Sequence, residues 1–164
     1  MNNNKHPNTP LAKVKITRNK DGSATISDLP IGRINEFQWR LKDIDYKAEL
    51  ARFLIAAEPD GADSWLWFGS YGLEENIHGY GLLLPFNNAA PVDGVFTVGG
   101  PERLEIFHLH WVGGPIAKIT FADRGEASVM IAPNTWTVTG TFSAMFMDLH
   151  LNPSGSFNLD MSNQ

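Results

Sequence analysis

The chain has 164 residues, 43% of them hydrophobic and 11% aromatic, which is enough to bury the core of one ordinary domain. It contains no cysteine, so disulfide scaffolds are excluded, and no apolar run approaches the ~20 residues of a membrane-spanning helix. Its net charge is −5, and residues 48–164 carry four basic side chains against thirteen acidic ones. An acidic balance of this kind argues against a nucleic-acid partner.

The N-terminal stretch, residues 1–11, is polar and interrupted by prolines, so we expect a disordered tail. It has no apolar segment of the kind that a secretory signal requires. We therefore expect the protein in the cytoplasm, or exported by a route that needs no cleaved signal peptide. Residues 12–164 show no sequence repeat and are expected to form a single antiparallel β domain.

Alternating apolar and polar residues predict strands through the first hundred residues. We expect a hairpin formed by residues 13–17 and 23–28, and a single strand at 34–41. A strand pair is expected at 65–71 and 78–85, followed by a short strand at 94–98. The basic side chains near the first hairpin are expected on the solvated face of an edge strand, and they are Lys13, Lys15, Arg18 and Lys20.

Residues 44–57 are ambiguous. The composition of residues 47–52 favours a helix, which Asp43 or Asp45 would cap. The apolar runs that flank residues 58–61 suit a hairpin equally well. We predict one short helix within residues 44–57.

The clearest pattern is an antiparallel meander of four strands, which we predict over residues 103–142. Its strands are expected at 103–112, 116–122, 126–132 and 135–142, joined by loops of three, three and two residues. Each strand then has one apolar face, formed in turn by Phe107, Leu109 and Trp111, by Ala117, Ile119 and Phe121, by Ala127, Val129 and Ile131, and by Trp136, Val138 and Phe142. Because a slip of one residue turns a strand over, pattern and loop length specify the same register. A last hairpin is expected between 141–151 and 156–161.

About ten predicted strands in one domain must hide their edges. Two packed sheets achieve that, and so does one sheet that closes on itself. The strands have one apolar and one polar face, as in antiparallel sheets that are wetted on one side. We therefore predict an all-β fold, a single-domain antiparallel β-sandwich, with a closed β-barrel as the alternative.

Two histidines alternate in residues 105–111, which read Glu-Ile-Phe-His-Leu-His-Trp. This segment resembles the zinc strand of the α-class carbonic anhydrases, which read Gln-Phe-His-Phe-His-Trp there. The resemblance implies a metal at His108 and His110, since side chains two apart on a strand project from one face. The predicted register places Lys118 opposite His110, and residues 131–135 contain no third histidine. We expect two half-exposed histidines on a solvated face, with metal binding as the alternative.

Asp148 and His150 continue the inward alternation of Phe142, Ala144 and Phe146. A carboxylate and an imidazole on an apolar face need each other or another partner, because unpaired burial is costly. They are the candidate catalytic residues, as an acid–base pair, or they hold a polar ligand group. The favoured interpretation is that the strand ends there and that both side chains meet solvent.

Trp65, Trp67 and Tyr71 lie on one side of their predicted strand, with Leu66 and Phe68 on the other. If Leu66 and Phe68 face the core, the aromatic side is exposed and suits stacking on sugar rings or lipid. Burial of the indoles is the favoured interpretation, because tryptophan is mostly buried in folded domains. Trp65, Trp67 and Tyr71 are still the candidate ligand-binding residues.

The sequence favours a non-catalytic binding module for a glycan, a small amphipathic ligand or a protein partner, and we expect no cofactor. One alternative is a small hydrolase, lyase or isomerase that uses Asp148 and His150, or a metal at His108 and His110. Another is a structural or assembly subunit. No nucleic-acid partner and no transmembrane segment are expected, and a homo-oligomer is left open.

Overall fold

A computed structural model describes residues 14–27, 36–72, 77–86, 92–113, 116–132 and 136–160. These ranges contain thirteen strands and no helix, which confirms the all-β prediction. The strands are β1 Val14–Arg18, β2 Ala24–Ser27, β3 Glu36–Leu41, β4 Ile44–Lys47, β5 Leu50–Ala57, β6 Asp63–Tyr71, β7 His78–Pro85, β8 Val92–Thr97, β9 Glu105–Gly113, β10 Ile116–Phe121, β11 Arg124–Ala132, β12 Thr137–Met145 and β13 Ser154–Asp160. No helix that could cross a membrane occurs in these ranges. The predicted tail, residues 1–11, lies outside them.

Seven strands form a closed barrel in the order β1-β2-β10-β9-β7-β6-β5. A short parallel pairing of β1 with β5 closes it, with Val14 opposite Ala56. The other strand pairs of the barrel are antiparallel. The closed barrel, which was the alternative to a sandwich, is therefore confirmed for this sheet. Closure removes the exposed edges that an open sheet would present.

Apolar side chains fill the barrel interior, as expected for a barrel with few strands. Every second residue of the barrel strands contributes, and the buried set is Val14, Ile16, Ala24, Ile26, Leu54, Ala56, Leu66, Phe68, Leu83, Phe107, Leu109, Ala117 and Ile119. This packed interior leaves ligand binding to the two ends of the barrel and to its outer surface.

The other six strands form a second sheet in the order β4-β3-β13-β12-β11-β8. Its inner face packs against the outer faces of β5, β6 and β7, in a second core that is rich in aromatic rings. Trp67 of the barrel lies 5.5 Å from Phe157 of the second sheet, and Tyr80 lies 5.5 Å from Trp39, between ring centroids. Strands β5, β6 and β7 are consequently buried on both faces, and their buried residues are apolar except for Arg52, Ser64 and Ser70.

The helix predicted within residues 44–57 is wrong, because β4 and β5 occupy that stretch. Phe53 and Ile55 of β5 face the second sheet, whereas Leu54 and Ala56 face the barrel interior. A strand buried on both faces has no polar face, so the period-two pattern that identifies strands is absent from its sequence. Burial on both faces outweighs the helical propensity of residues 47–52.

The predicted meander of residues 103–142 has the correct strand pairs within each hairpin, but it is wrong about the pairing between the hairpins. Lys118 lies opposite His110 in the β9–β10 pair, as predicted. In the β11–β12 pair Ile131 lies opposite Val138, whereas the predicted two-residue loop would place Trp136 there, so the link is two residues longer at the β12 side and the same residues still share a face. However, β10 pairs with β2 and β9, whereas β11 pairs with β12 and β8 in the second sheet. The chain crosses from one sheet to the other between β10 and β11, so the two apolar faces lie in separate cores.

Candidate functional site

Arg18, the last residue of β1, is fixed by two glutamates at one end of the barrel. Its Nε and Nη2 donate to Glu58 at 3.1 and 2.9 Å, and its Nη1 and Nη2 donate to Glu105 at 2.9 and 2.8 Å. The guanidinium carbon also lies 5.2 Å from the centre of the Phe121 ring. The hydrogen bonds to Glu105 and then to Glu58 raise the pKa of Arg18 above its ordinary value. Paired bonds of this kind hold a guanidinium in one orientation.

A cleft of about 560 Å³ opens beside this arginine, at the mouth of the barrel. Arg18, Glu58, Glu105 and Phe121 line it together with Ser64, whose hydroxyl donates to Glu58 Oε1 at 3.4 Å. The mouth of a β-barrel is a common place for a small-molecule site, and such sites combine apolar walls with a few fixed polar groups. The cleft has both features.

The loop between β8 and β9 forms another wall of this cleft. Val98 and Leu104 form an isolated bridge that closes the loop, and Arg103 N donates to Gly100 O at 3.1 Å. Arg103 has a φ of 58°, in the left-handed region that arginine rarely adopts. Strained backbone of this kind persists only where the surrounding structure holds it, and it is concentrated at functional sites.

His108 and His110 lie on the outer face of β9, opposite Thr120 and Lys118 of β10. On the other side of β9, β7 places Tyr80 opposite His108 and His78 opposite His110. The His108 ring lies 5.5 Å from the Tyr80 ring and 6.4 Å from that of His78, between centroids. Burial, and then the neighbouring His78 and His110, lower the pKa of His108 to about 4. His108 is therefore neutral at pH 7.

The residues around His108 and His110 do not fit the zinc site that the resemblance to carbonic anhydrases implies. In the part of the chain that the structure describes, no three His, Asp or Glu side chains are placed to share one ion. A zinc site takes three or four such ligands. His108 packs instead against aromatic rings, including that of Phe146 at 6.4 Å, and Lys118 is the cross-strand neighbour of His110.

Trp65 and Trp67 lie in the core between the barrel and the second sheet, 5% and 0% exposed. The Trp65 ring stacks on Phe86 at 4.3 Å between centroids. Tyr71, at the end of β6, is 41% exposed and lies 5.7 Å from the ring of Tyr46. The structure therefore does not bring the three candidate ligand-binding residues together on one surface, and only Tyr71 reaches solvent.

Asp148 and His150 are exposed, on a tight turn that follows β12. Phe146 and Leu151 pair across this turn, and His150 N donates to Met147 O at 3.2 Å. The alternation that would carry Asp148 and His150 inward ends with Phe146, which is 1% exposed.

The residues of the cleft were not among the site residues that the sequence suggested. Glu58 and Glu105 are 40 and 87 positions away from Arg18, so no local spacing connects them. His78 and Tyr80 join His108 for a similar reason, since only the pairing of β7 with β9 brings them together. Comparison of the chain with protein-family models, with curated proteins and with solved structures found no match.

Proposed function

We propose that the protein is a non-catalytic binding module whose cleft beside Arg18 takes a small, uncharged, polyhydroxylated ligand such as a sugar. The observation that supports this most is the Arg18 guanidinium, held by four hydrogen bonds to Glu58 and Glu105 above the Phe121 ring. Donors and acceptors that are fixed before binding lose little conformational entropy when a ligand arrives.

The chemistry of the lining favours hydroxyl groups. A hydroxyl both donates and accepts hydrogen bonds, so it suits a surface on which guanidinium donors and carboxylate acceptors lie side by side. The cleft offers two arginines, Arg18 and Arg103, against four carboxylates, from Glu58, Asp60, Asp63 and Glu105. This excess of negative charge disfavours an anionic ligand such as a fatty acid.

The enzymatic alternative has less support. Asp148 and His150 are exposed on a turn, where solvent competes for both groups. A cleft of about 400 Å³ borders His150, but Asp148 does not line it. His108 is packed among aromatic rings. Neither the Asp148–His150 pair nor the His108–His110 pair provides the fixed geometry that acid–base or metal-assisted chemistry requires.

Calorimetric titration with a panel of neutral mono- and disaccharides tests the proposal. Glu105→Gln keeps the shape of the side chain but removes its charge, and a lost charge-assisted hydrogen bond weakens affinity about 10-fold or more. Asp45→Asn is the matched control, because Asp45 pairs with Arg40 at 3.8 Å on the open surface, where its side chain is 79% exposed. Equal affinities of the two variants, or no binding of any sugar to the wild type, would contradict the proposal.

A further inference from the structure

Arg52 is the one charged residue among the buried residues of the described ranges, and its side chain lies inside the barrel. The residue is 3% exposed. Along β5 it alternates with Ala51 and Phe53, which face the second sheet, and it shares its side with Leu54. Across the β5–β6 ladder it lies opposite Phe68, a residue of the barrel interior.

Unlike Arg18, Arg52 has no carboxylate partner among the described residues. Its Nε is buried without a hydrogen-bond partner. The ion pairs among the described residues join Arg18, Arg40 and Lys118 to carboxylates, and none includes Arg52. Burial lowers the pKa of Arg52. Arginine stays charged in proteins, and an unpaired buried charge costs several kcal/mol.

Trp111 and Ser70 also face the barrel interior, at the end of the barrel to which Arg52 belongs and opposite to the end with Arg18. Arg52 is in the first half of β5, whereas Arg18 and Glu58 lie where β5 ends. Trp111, near the end of β9, packs against the interior cluster, and its Nε1 is buried without a partner. Ser70, which lies opposite Leu50 near the end of β6, is 2% exposed. Among the described residues, this end therefore holds a buried positive charge and two buried donors without a hydrogen-bond partner, Arg52 Nε and Trp111 Nε1.

We propose that this end of the barrel binds the anionic group, a carboxylate or a phosphate, of a small molecule, with Arg52 as its counter-charge and Trp111 Nε1 as a further donor. Each of the two unpartnered groups donates and neither accepts, and an anion would both accept from them and offset the charge of Arg52. Because apolar side chains pack the barrel interior beside Arg52, the rest of the molecule would lie outside the barrel. The site is independent of the cleft beside Arg18, where the charge has the opposite sign.

Thermal unfolding of the full chain with inorganic phosphate, acetate or octanoate, at an ionic strength held constant with chloride, tests this site. The anion that binds raises the midpoint of the wild type by about 5–10 °C at 100 times its Kd. A response to phosphate alone indicates a phosphate group, a response to both carboxylates indicates a carboxylate, and a response to octanoate alone indicates a carboxylate with an apolar tail. Arg52→Met retains most of the aliphatic part of the side chain, and its unfolding midpoint is expected not to rise with the anion. The midpoint of Arg40→Met, a surface variant, is expected to rise as in the wild type.

A second measurement on the wild type does not depend on how Arg52→Met folds. The Nε–H signal of Arg52 and the indole N–H signal of Trp111, the latter assigned with Trp111→Phe, shift together in NMR spectra as the anion is added. The proposal is overturned if no anion raises the midpoint, if Arg52→Met responds as the wild type does, or if both signals stay in place at saturation. Sugar binding at the opposite end is unaffected by any of these outcomes, so the two proposals fail separately.

Discussion

Arg18 and Glu105 join the last residue of β1 to the first residue of β9 through hydrogen bonds of 2.9 and 2.8 Å. The two strands are not neighbours, because β2 and β10 lie between them in the barrel. The pair therefore spans the mouth of the barrel rather than a single ladder. Glu58, which follows β5, binds the same guanidinium from the other side, so one arginine connects three separate segments of the chain.

Arg18→Met removes the shared partner of Glu58 and Glu105. The Glu58 side chain is 12% exposed, so water replaces the lost bonds only in part. The free energy of unfolding is expected to fall by about 1–3 kcal/mol, less than for a fully buried pair because solvent screens the partly exposed arginine. Urea unfolding at pH 7 measures the loss. Arg40→Met, in an exposed pair, is expected to change the stability by less than about 0.5 kcal/mol, and similar losses in both variants would count against a special role for Arg18.

His108 makes stability depend on pH. Burial lowers its folded pKa to about 4, from an ordinary value of 6.5, so the unfolded chain binds this proton more readily than the folded one. The stabilisation is present above pH 6.5 and is lost as the pH falls towards 4. Unfolding free energies measured across this range should decrease more steeply for the wild type than for His108→Leu. His150→Gln, on an exposed turn, serves as the control variant, and a His108→Leu curve as steep as that of the wild type would remove the explanation.

Gly81 is expected to tolerate no side chain. A Cβ built there would overlap the ring of Phe107 inside the barrel, and it would lie 2.7 Å from the Cβ of Phe68. Gly81→Ala should therefore cost about 1–3 kcal/mol through overpacking. Gly94→Ala is the matched control, because a Cβ there meets only the Phe96 ring, at an ordinary 3.6 Å. Denaturation midpoints of the two variants provide the test, and equal midpoints would mean that Phe107 does not fill the space beside Gly81.

Trp67 and Tyr71 lie on the same strand, and their substitutions are expected to differ in their effect on stability because Trp67 is in the core and Tyr71 is at the surface. Trp67 is fully buried between the barrel and the second sheet, so Trp67→Ala should cost about 3–5 kcal/mol. Tyr71 is 41% exposed, and Tyr71→Ala should cost much less. Chemical denaturation of both variants measures the difference. A small loss for Trp67→Ala would mean that the indole is available at the surface after all.

The sequence predicted register better than it predicted sheet partners. Lys118 lies opposite His110 as expected, because loop length and apolar alternation both act within one hairpin. No local feature of the sequence indicates that β11 belongs to the second sheet. The short link after Phe121 is compatible both with a hairpin and with a passage of the chain from the barrel to the second sheet. The apolar run of β5 was assigned to a helix for a related reason, because only the second sheet explains why both of its faces are buried.

The candidate site was less predictable than the fold. Arg18 had the pattern of a solvated edge-strand residue, and only barrel closure brings Glu58 and Glu105 to it. Arg52 stands in an apolar stretch of the sequence, and its burial follows from the position of β5 between two cores, which no local pattern indicates. Sites made by strands that are distant in the sequence leave no spacing by which a motif is recognised.

Amide chemical-shift mapping during titration with the tightest-binding neutral sugar tests the proposed cleft most directly. The account predicts that the largest shifts occur at Ser64, Glu105 and Phe121, around the Arg18 guanidinium, and that Glu105→Gln reduces them at equal sugar concentration. Tyr71 and Thr139, on other surfaces, should not move. Shifts centred on Tyr71, or no shifts at a sugar concentration of several millimolar, would contradict the assignment of the cleft as the binding site.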